Sequence, residues 1–190
     1  MKRRRGFMSC GVFLLSLAVF SSSMSAKQKL VLSGGGQGTF ENGHIDAWDK
    51  NGLDGDLDGD GHIDGSYFAV AVDADEDAVQ GHFVCAMWGN TRILGLPLMA
   101  VEGAVKEVVV DKKTHTVTLK GTGTVDLGGP FFSEVPFVVK VMEGGPHEAT
   151  IQLSVIGIFD GVPGDTIAGN GNYDLPLETL ISGVVTSAKN

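Results

Sequence analysis

Residues 56–64 read Asp-Leu-Asp-Gly-Asp-Gly-His-Ile-Asp. Asp56, Asp58 and Asp60 stand at alternate positions, Gly61 follows, and Asp64 closes the run. In a tightly curled loop alternate side chains point at one centre, and a glycine permits the turn that wraps the backbone around it. Carboxylates gathered in this way repel one another unless a cation neutralises them. Calcium, which takes about six to eight hard oxygen ligands, suits such a donor set. In that arrangement Asp56, Asp58, Asp60 and Asp64 are side-chain ligands and His62 supplies its backbone carbonyl. Ile63 turns away and pins the loop to the protein. The competing reading is a solvated Asp/Gly-rich loop that holds ions weakly.

No other set of residues has a spacing that specifies chemistry. His44, His62, His82, His115 and His147 are scattered, with no HExxH, His-x-Glu or CxxC spacing of the kind that marks zinc. Cys85 lies in the apolar run Gly81–Trp88 and reads as a core filler. His82, three residues away, falls on the other face of a strand. Gly34-Gly35-Gly36-Gln37-Gly38 lacks the Gly-Lys-Ser/Thr and the helix start of a phosphate cradle, and reads as a tight turn. No serine sits in a Gly-x-Ser-x-Gly elbow. Trp48 and Trp88 could stack on sugars, or anchor core and loops. No catalytic residue can be named, although a hydrolase acting outside the cytoplasm, with calcium as scaffold, stays open.

Charge sharpens the cation reading. Residues 41–77 carry twelve of the 23 acidic residues and one lysine, Lys50, so this stretch alone holds −11. Such a field argues against nucleic acid or anionic lipid as partner and suits a cation. Residues 1–26 pair a basic head, Lys2 to Arg5, with an apolar stretch, Val12 to Phe20, and the small residues Ser21 to Ala26. That is the pattern of a secretory signal peptide, which predicts an exported protein, periplasmic or secreted. Arg4 and Arg5 also loosely fit a twin-arginine signal. Cleavage leaves residues 27–190, removes four basic residues and takes the formal charge from −9 to about −13. It also leaves Cys85 as the one cysteine, so no internal disulfide can form.

The elements that must carry the loop are strands. Val117, Leu119 and Gly121 alternate with Thr116, Thr118 and Lys120; Phe137, Val139 and Val141 alternate with Val138, Lys140 and Met142. Ile151, Leu153 and Val155 repeat the pattern before Ile156 and Ile158 change face, which suggests a bulge. Strands are expected near 28–33, 37–41, 66–73, 79–88, 93–101, 104–110, 116–126, 135–142, 149–159, 167–173 and 179–186. Hairpin turns are expected at Asp111–Thr114 and Glu143–Pro146. The fold class that follows is all-β: one antiparallel sandwich or barrel-like domain over 27–190, with 42–65 as an inserted acidic loop. Asn42-Gly43-His44-Ile45-Asp46 echoes Asp60-Gly61-His62-Ile63-Asp64, either as a second, degenerate cation loop through Asp46 and Asp49 or as a chance repeat.

The run from Asp56 resembles the calcium loops of EF-hands, dockerins and thrombospondin type-3 repeats. Carried over, the resemblance implies Asp56, Asp58, Asp60 and Asp64 as carboxylate ligands at loop positions one, three, five and nine, and the His62 carbonyl at position seven. At position twelve, where an EF-hand has a bidentate glutamate, this chain has Tyr67. The missing ligand must come from Asp49, Asp54, Asp73, Asp75 or Asp77. Ser66 to Val72 reads as strand, not as the exiting helix of an EF-hand, which argues against a calcium sensor. The remainder resembles a secreted bacterial all-β domain of uncharacterised function, through Gly34–Gly36, Gly81-His82-Phe83, Gly121–Thr124 and Ile181–Val185. The expected function is an exported calcium-binding module with a structural or binding role. The rival reading is a sandwich that binds carbohydrate or an envelope component, with Trp48 as contact.

Overall fold

The computed structural model describes residues 29–41, 45–46, 62–89, 99–127, 130–162 and 164–189. Every regular element among them is a strand: β1 (Leu30–Phe40), β2 (Ile45–Asp46), β3 (His62–Ala74), β4 (Val79–Gly89), β5 (Ala100–Asp111), β6 (Thr116–Asp126), β7 (Phe131–Met142), β8 (Thr150–Ile156), β9 (Asn172–Asp174) and β10 (Glu178–Lys189). Eight of them run β1-β10-β8-β7-β6-β5-β4-β3, all neighbours antiparallel, and β3 pairs back onto β1. The sheet is therefore a closed barrel. The short β2 adds to β3 and the short β9 to β8.

Alternation does what the sequence pattern requires. Val117, Leu119, Phe137, Val139, Val141, Ile151, Leu153 and Val155 are all buried inside the barrel. An eight-stranded barrel is just wide enough for side chains to fill it. At its centre the rings of Phe83 and Phe137 meet with centroids 5.7 Å apart. Phe137 has room because two neighbours lack a side chain. A Cβ on Gly103 would come within 2.7 Å of Phe137 Cε1, and one on Gly121 within 2.9 Å of the same atom. Outward positions carry Glu102, Lys106, Lys120 and Lys140, all exposed.

Several boundaries differ from the sequence expectation. Gly34-Gly35-Gly36 is not a tight turn; it lies inside β1, which runs unbroken through the two strands expected there. The glycines serve close approach. A Cβ on Gly35 would lie 2.6 Å from the Phe68 carbonyl oxygen, and those on Gly34 and Gly36 would collide with the carbonyl oxygens of Val184 and Ser182. Of the strand expected at 93–101, residues 93–98 lie outside the described residues; β5 begins at Ala100 and runs on through the strand expected at 104–110. The strand expected at 149–159 ends at Ile156, where Gly157 turns the chain with φ 82°. The expected hairpins at 111–114 and 143–146 are present. The expected signal peptide (1–26), Trp48, and Asp49, Asp54, Asp56, Asp58 and Asp60 lie outside the described residues. No described helix is long and apolar enough to cross a membrane.

The meander sorts the connections. Turns 75–78, 112–115 and 143–149 fall at one end of the barrel. At the other end the chain leaves β1 at Phe40 to re-enter β3 at His62, and leaves β8 at Ile156 to re-enter β10 at Glu178. The acidic segment thus departs from and returns to a rigid rim.

Candidate functional site

The two points where the acidic segment leaves and rejoins the barrel are tied together. Ile45 pairs with Ile63 and Asp46 with His62, so a short antiparallel ladder joins the chain on either side of residues 47–61. The Ile-Asp and His-Ile of the two echoed motifs are the paired arms of that ladder. Ile63 is 1 % exposed and anchors the stem in the core. Thr39 Oγ1 donates to the Asp64 carbonyl at 3.1 Å and ties the stem to β1. Of the five expected ligands, the described residues include His62 at the start of β3 and, two residues on, the half-buried Asp64.

Three of the candidates for the missing ligand are removed by geometry. Asp73 lies nine residues along β3 from Asp64, roughly 30 Å at about 3.3 Å per residue. It sits at the hairpin end and pairs with Lys29 Nζ at 2.7 Å. Asp75 holds the β3–β4 turn, its Oδ1 accepting from the amides of Asp77 and Ala78 at 2.8 and 2.9 Å, and Asp77 lies in the same turn. Among the described residues no three of His, Cys, Asp and Glu converge on one point. His82, expected on the face opposite Cys85, is on the surface and meets Glu102 at 3.0 Å.

The outer wall beside the stem carries an aromatic pair. Trp88 reaches from β4 across β3 to β1, where its Nε1–H donates to the Gly38 carbonyl at 2.9 Å. It passes over its ladder partner Gly65, which has no side chain to obstruct it. Tyr67, 53 % exposed, stands against it with ring centroids 6.3 Å apart and planes tilted by 45°.

Inside the wall is a group the sequence reading missed. Glu178 opens β10 and is 1 % exposed. Its Oε2 accepts from the Ser66 amide at 2.8 Å and the Ser66 hydroxyl at 2.7 Å. Gly38 leaves space for it, since a Cβ there would lie 2.5 Å from Oε2. Burial raises the carboxyl from its ordinary 4.5 to about 7, against the two Ser66 bonds, which lower it. Cys85, also fully buried, has its thiol pushed up by burial and then by the Glu178 charge. An inward glutamate was legible in one respect. Glu178 and Leu180 are two apart on one strand, and Leu180 is fully buried.

The segment between β8 and β9 is a second aspartate-rich loop, but its Asp160 and Asp165 carboxylates are taken up by backbone amides and the Asp174 carboxylate at its end by side chains. Asp160 accepts from the amides of Gly169 and Gly171 at 2.6 and 2.8 Å. Asp165 accepts from the Gly161 amide at 2.7 Å, the main reason its carboxyl lies below the usual range. The largely buried Asp174 accepts from Ser154 and, at 2.7 Å, from Asn170. These are bonds that shape a loop.

Protein-family models, curated proteins and solved structures offer no match to this chain. The functional reading therefore rests on the residues themselves.

Proposed function

We propose that this protein is an exported calcium-binding β module in which the ion orders the acidic loop on the barrel rim. Asp56, Asp58, Asp60 and Asp64 supply carboxylates and His62 its carbonyl. The observation that carries the reading is the stem. Pairing of Ile45 with Ile63 ties the two ends of the segment together, which lowers the loop-closure entropy that gathering the ligands must overcome. Without an ion, the −11 borne by residues 41–77 opposes a compact loop. The segment that follows it is strand β3 rather than the exiting helix of an EF-hand, which supports a structural role for the ion over that of a sensor. A second reading, recognition of a carbohydrate or envelope ligand, is favoured by the Tyr67–Trp88 pair next to the stem. Aromatic faces of this kind give sugar rings a platform, and glycan-array binding separates the two readings.

The test is thermal melting of residues 27–190 in chelator, calcium and magnesium. An ion that binds only the folded state adds about 2.7 kcal/mol at a hundredfold excess over Kd, a shift of roughly 5–10 °C for a domain of this size. Asp58→Ala and Asp60→Ala should abolish most of it. Magnesium should substitute poorly, because it demands a tighter octahedral shell. Coincident chelator and calcium curves for the unsubstituted protein would leave only a solvated acidic loop.

A further inference from the structure

Closure of the barrel depends on β10, and its two sides are unequal. Against β1 it forms eleven residue pairs; against β8 it forms two, Glu178 with Ile151 and Thr179 with Thr150. Beyond these, among the described residues, the seam continues as the Leu180 amide on the Ala149 carbonyl at 2.9 Å, the His147 amide on the Leu180 carbonyl, Gly144 and Val185 exchanging bonds, and the Ser187 hydroxyl donating to the Glu143 carboxylate at 2.5 Å. The residue that begins this two-pair ladder carries a carboxyl inside the barrel.

We infer that the β8–β10 seam is a pH-sensitive latch: with Glu178 neutral the seam stays shut, and loss of its proton lets β10 part from β8 so that water reaches the carboxylate. The surroundings provide little else to carry a charge. β1 presents Gly38 and Phe40, β3 presents Ser66, β4 presents the Cys85 thiol and β8 presents Ile151. Of these only Cys85 is titratable, and its thiol is held neutral. The charged residues nearby in sequence, Glu41, Asp64, His147 and Glu148, contribute nothing to the shift, whose causes are burial and Ser66. Among the described residues only Ser66 donates to the carboxyl, and both bonds fall on Oε2. A neutral acid tolerates this environment; a carboxylate with one unserved oxygen does not.

The sign follows from the two states. With the seam shut the carboxyl titrates near 7; with it open and hydrated, near 4.5. Opening is therefore rarest below pH 4.5, grows as pH rises through the window, and levels off above 7. The rise is tenfold for each pH unit inside the window, about 70-fold between pH 5 and 8.

Native-state hydrogen exchange on residues 27–190, corrected for intrinsic exchange rates, reads this directly. The Leu180 and Ser66 amides should lose about 70-fold in protection between pH 5 and 8, while amides of the β6–β7 ladder hold theirs. Glu178→Gln keeps the shape and a carbonyl acceptor for Ser66 but cannot ionise, and its protection should be flat with pH. Ser66→Ala removes one donor to the carboxylate, which raises the closed-state value further and should enlarge the total loss between pH 5 and 8. The latch is overturned if Leu180 protection does not change with pH, if it falls equally in Glu178→Gln, or if β6–β7 loses protection in step with it.

Discussion

The packing of Phe137 over side-chain-free positions gives a quantitative test of the barrel interior. Phe137 is fully buried, and Phe→Ala at such a site costs about 3–5 kcal/mol. Gly121→Ala would drive its methyl into Cζ of Phe137, to within 2.9 Å of Cε1, and also against the Ala104 carbonyl oxygen. Overpacking of this kind costs about 1–3 kcal/mol. In the double variant the ring contacts are gone and only the backbone contact remains, so the methyl should cost less there. A coupling of about 1–2 kcal/mol is expected, within the range for residues that share space. Gly123 supplies the control. The three atoms nearest a Cβ there are backbone, of Glu102 and Gly103, and not the Phe137 ring, so Gly123→Ala and Phe137→Ala should add to within about 0.5 kcal/mol. The assay is equilibrium urea unfolding of the unsubstituted protein, the three single variants and the two double variants, compared at constant m. Strict additivity for Gly121 with Phe137, or equal coupling for Gly123, would refute the claim that Gly121 is glycine to seat the ring.

Trp88→Phe keeps a ring over Gly65 but removes the donor to the Gly38 carbonyl; urea unfolding should show a loss of about 1 kcal/mol, and Trp88→Ala a larger one. Asp160→Ala removes the acceptor for the Gly169 and Gly171 amides; limited proteolysis should then cut within 160–172 several-fold faster, with the melting temperature of the barrel little changed.

Local physics was legible and closure was not. Val117, Leu119, Phe137, Val139, Ile151 and Leu153 announce an inward face by alternation alone, and Asp111–Thr114 announces its hairpin. Sandwich and barrel share that pattern. What separates them is the pairing of β1 with both β3 and β10, and no local signal encodes it. Gly34–Gly36 was misread for the same reason. Three glycines look like a turn until carbonyl oxygens from two neighbouring strands are found where their side chains would be. The stem of the candidate site was visible as an echo, Ile45 against Ile63, but its meaning required the ladder. Glu178 escaped because Asp174-Leu175-Pro176-Leu177-Glu178 has the composition of a solvated connection. Only the fully buried Leu180, two residues on, marks its face as inward.

Closing the barrel with its first and last long strands also fixes the order of assembly. Leu30 meets Lys189 and Phe40 meets Glu178, partners more than 130 residues apart. Pairings this distant must be reached against loop-closure entropy, which places the fold among the slow, millisecond-to-second class. A nascent or truncated chain ending before Glu178 holds β1 and β8 without their strand between them, and each is then an edge open to a copy of itself. For this protein the C-terminal twelve-residue strand is what turns an aggregation-prone sheet into a protected one.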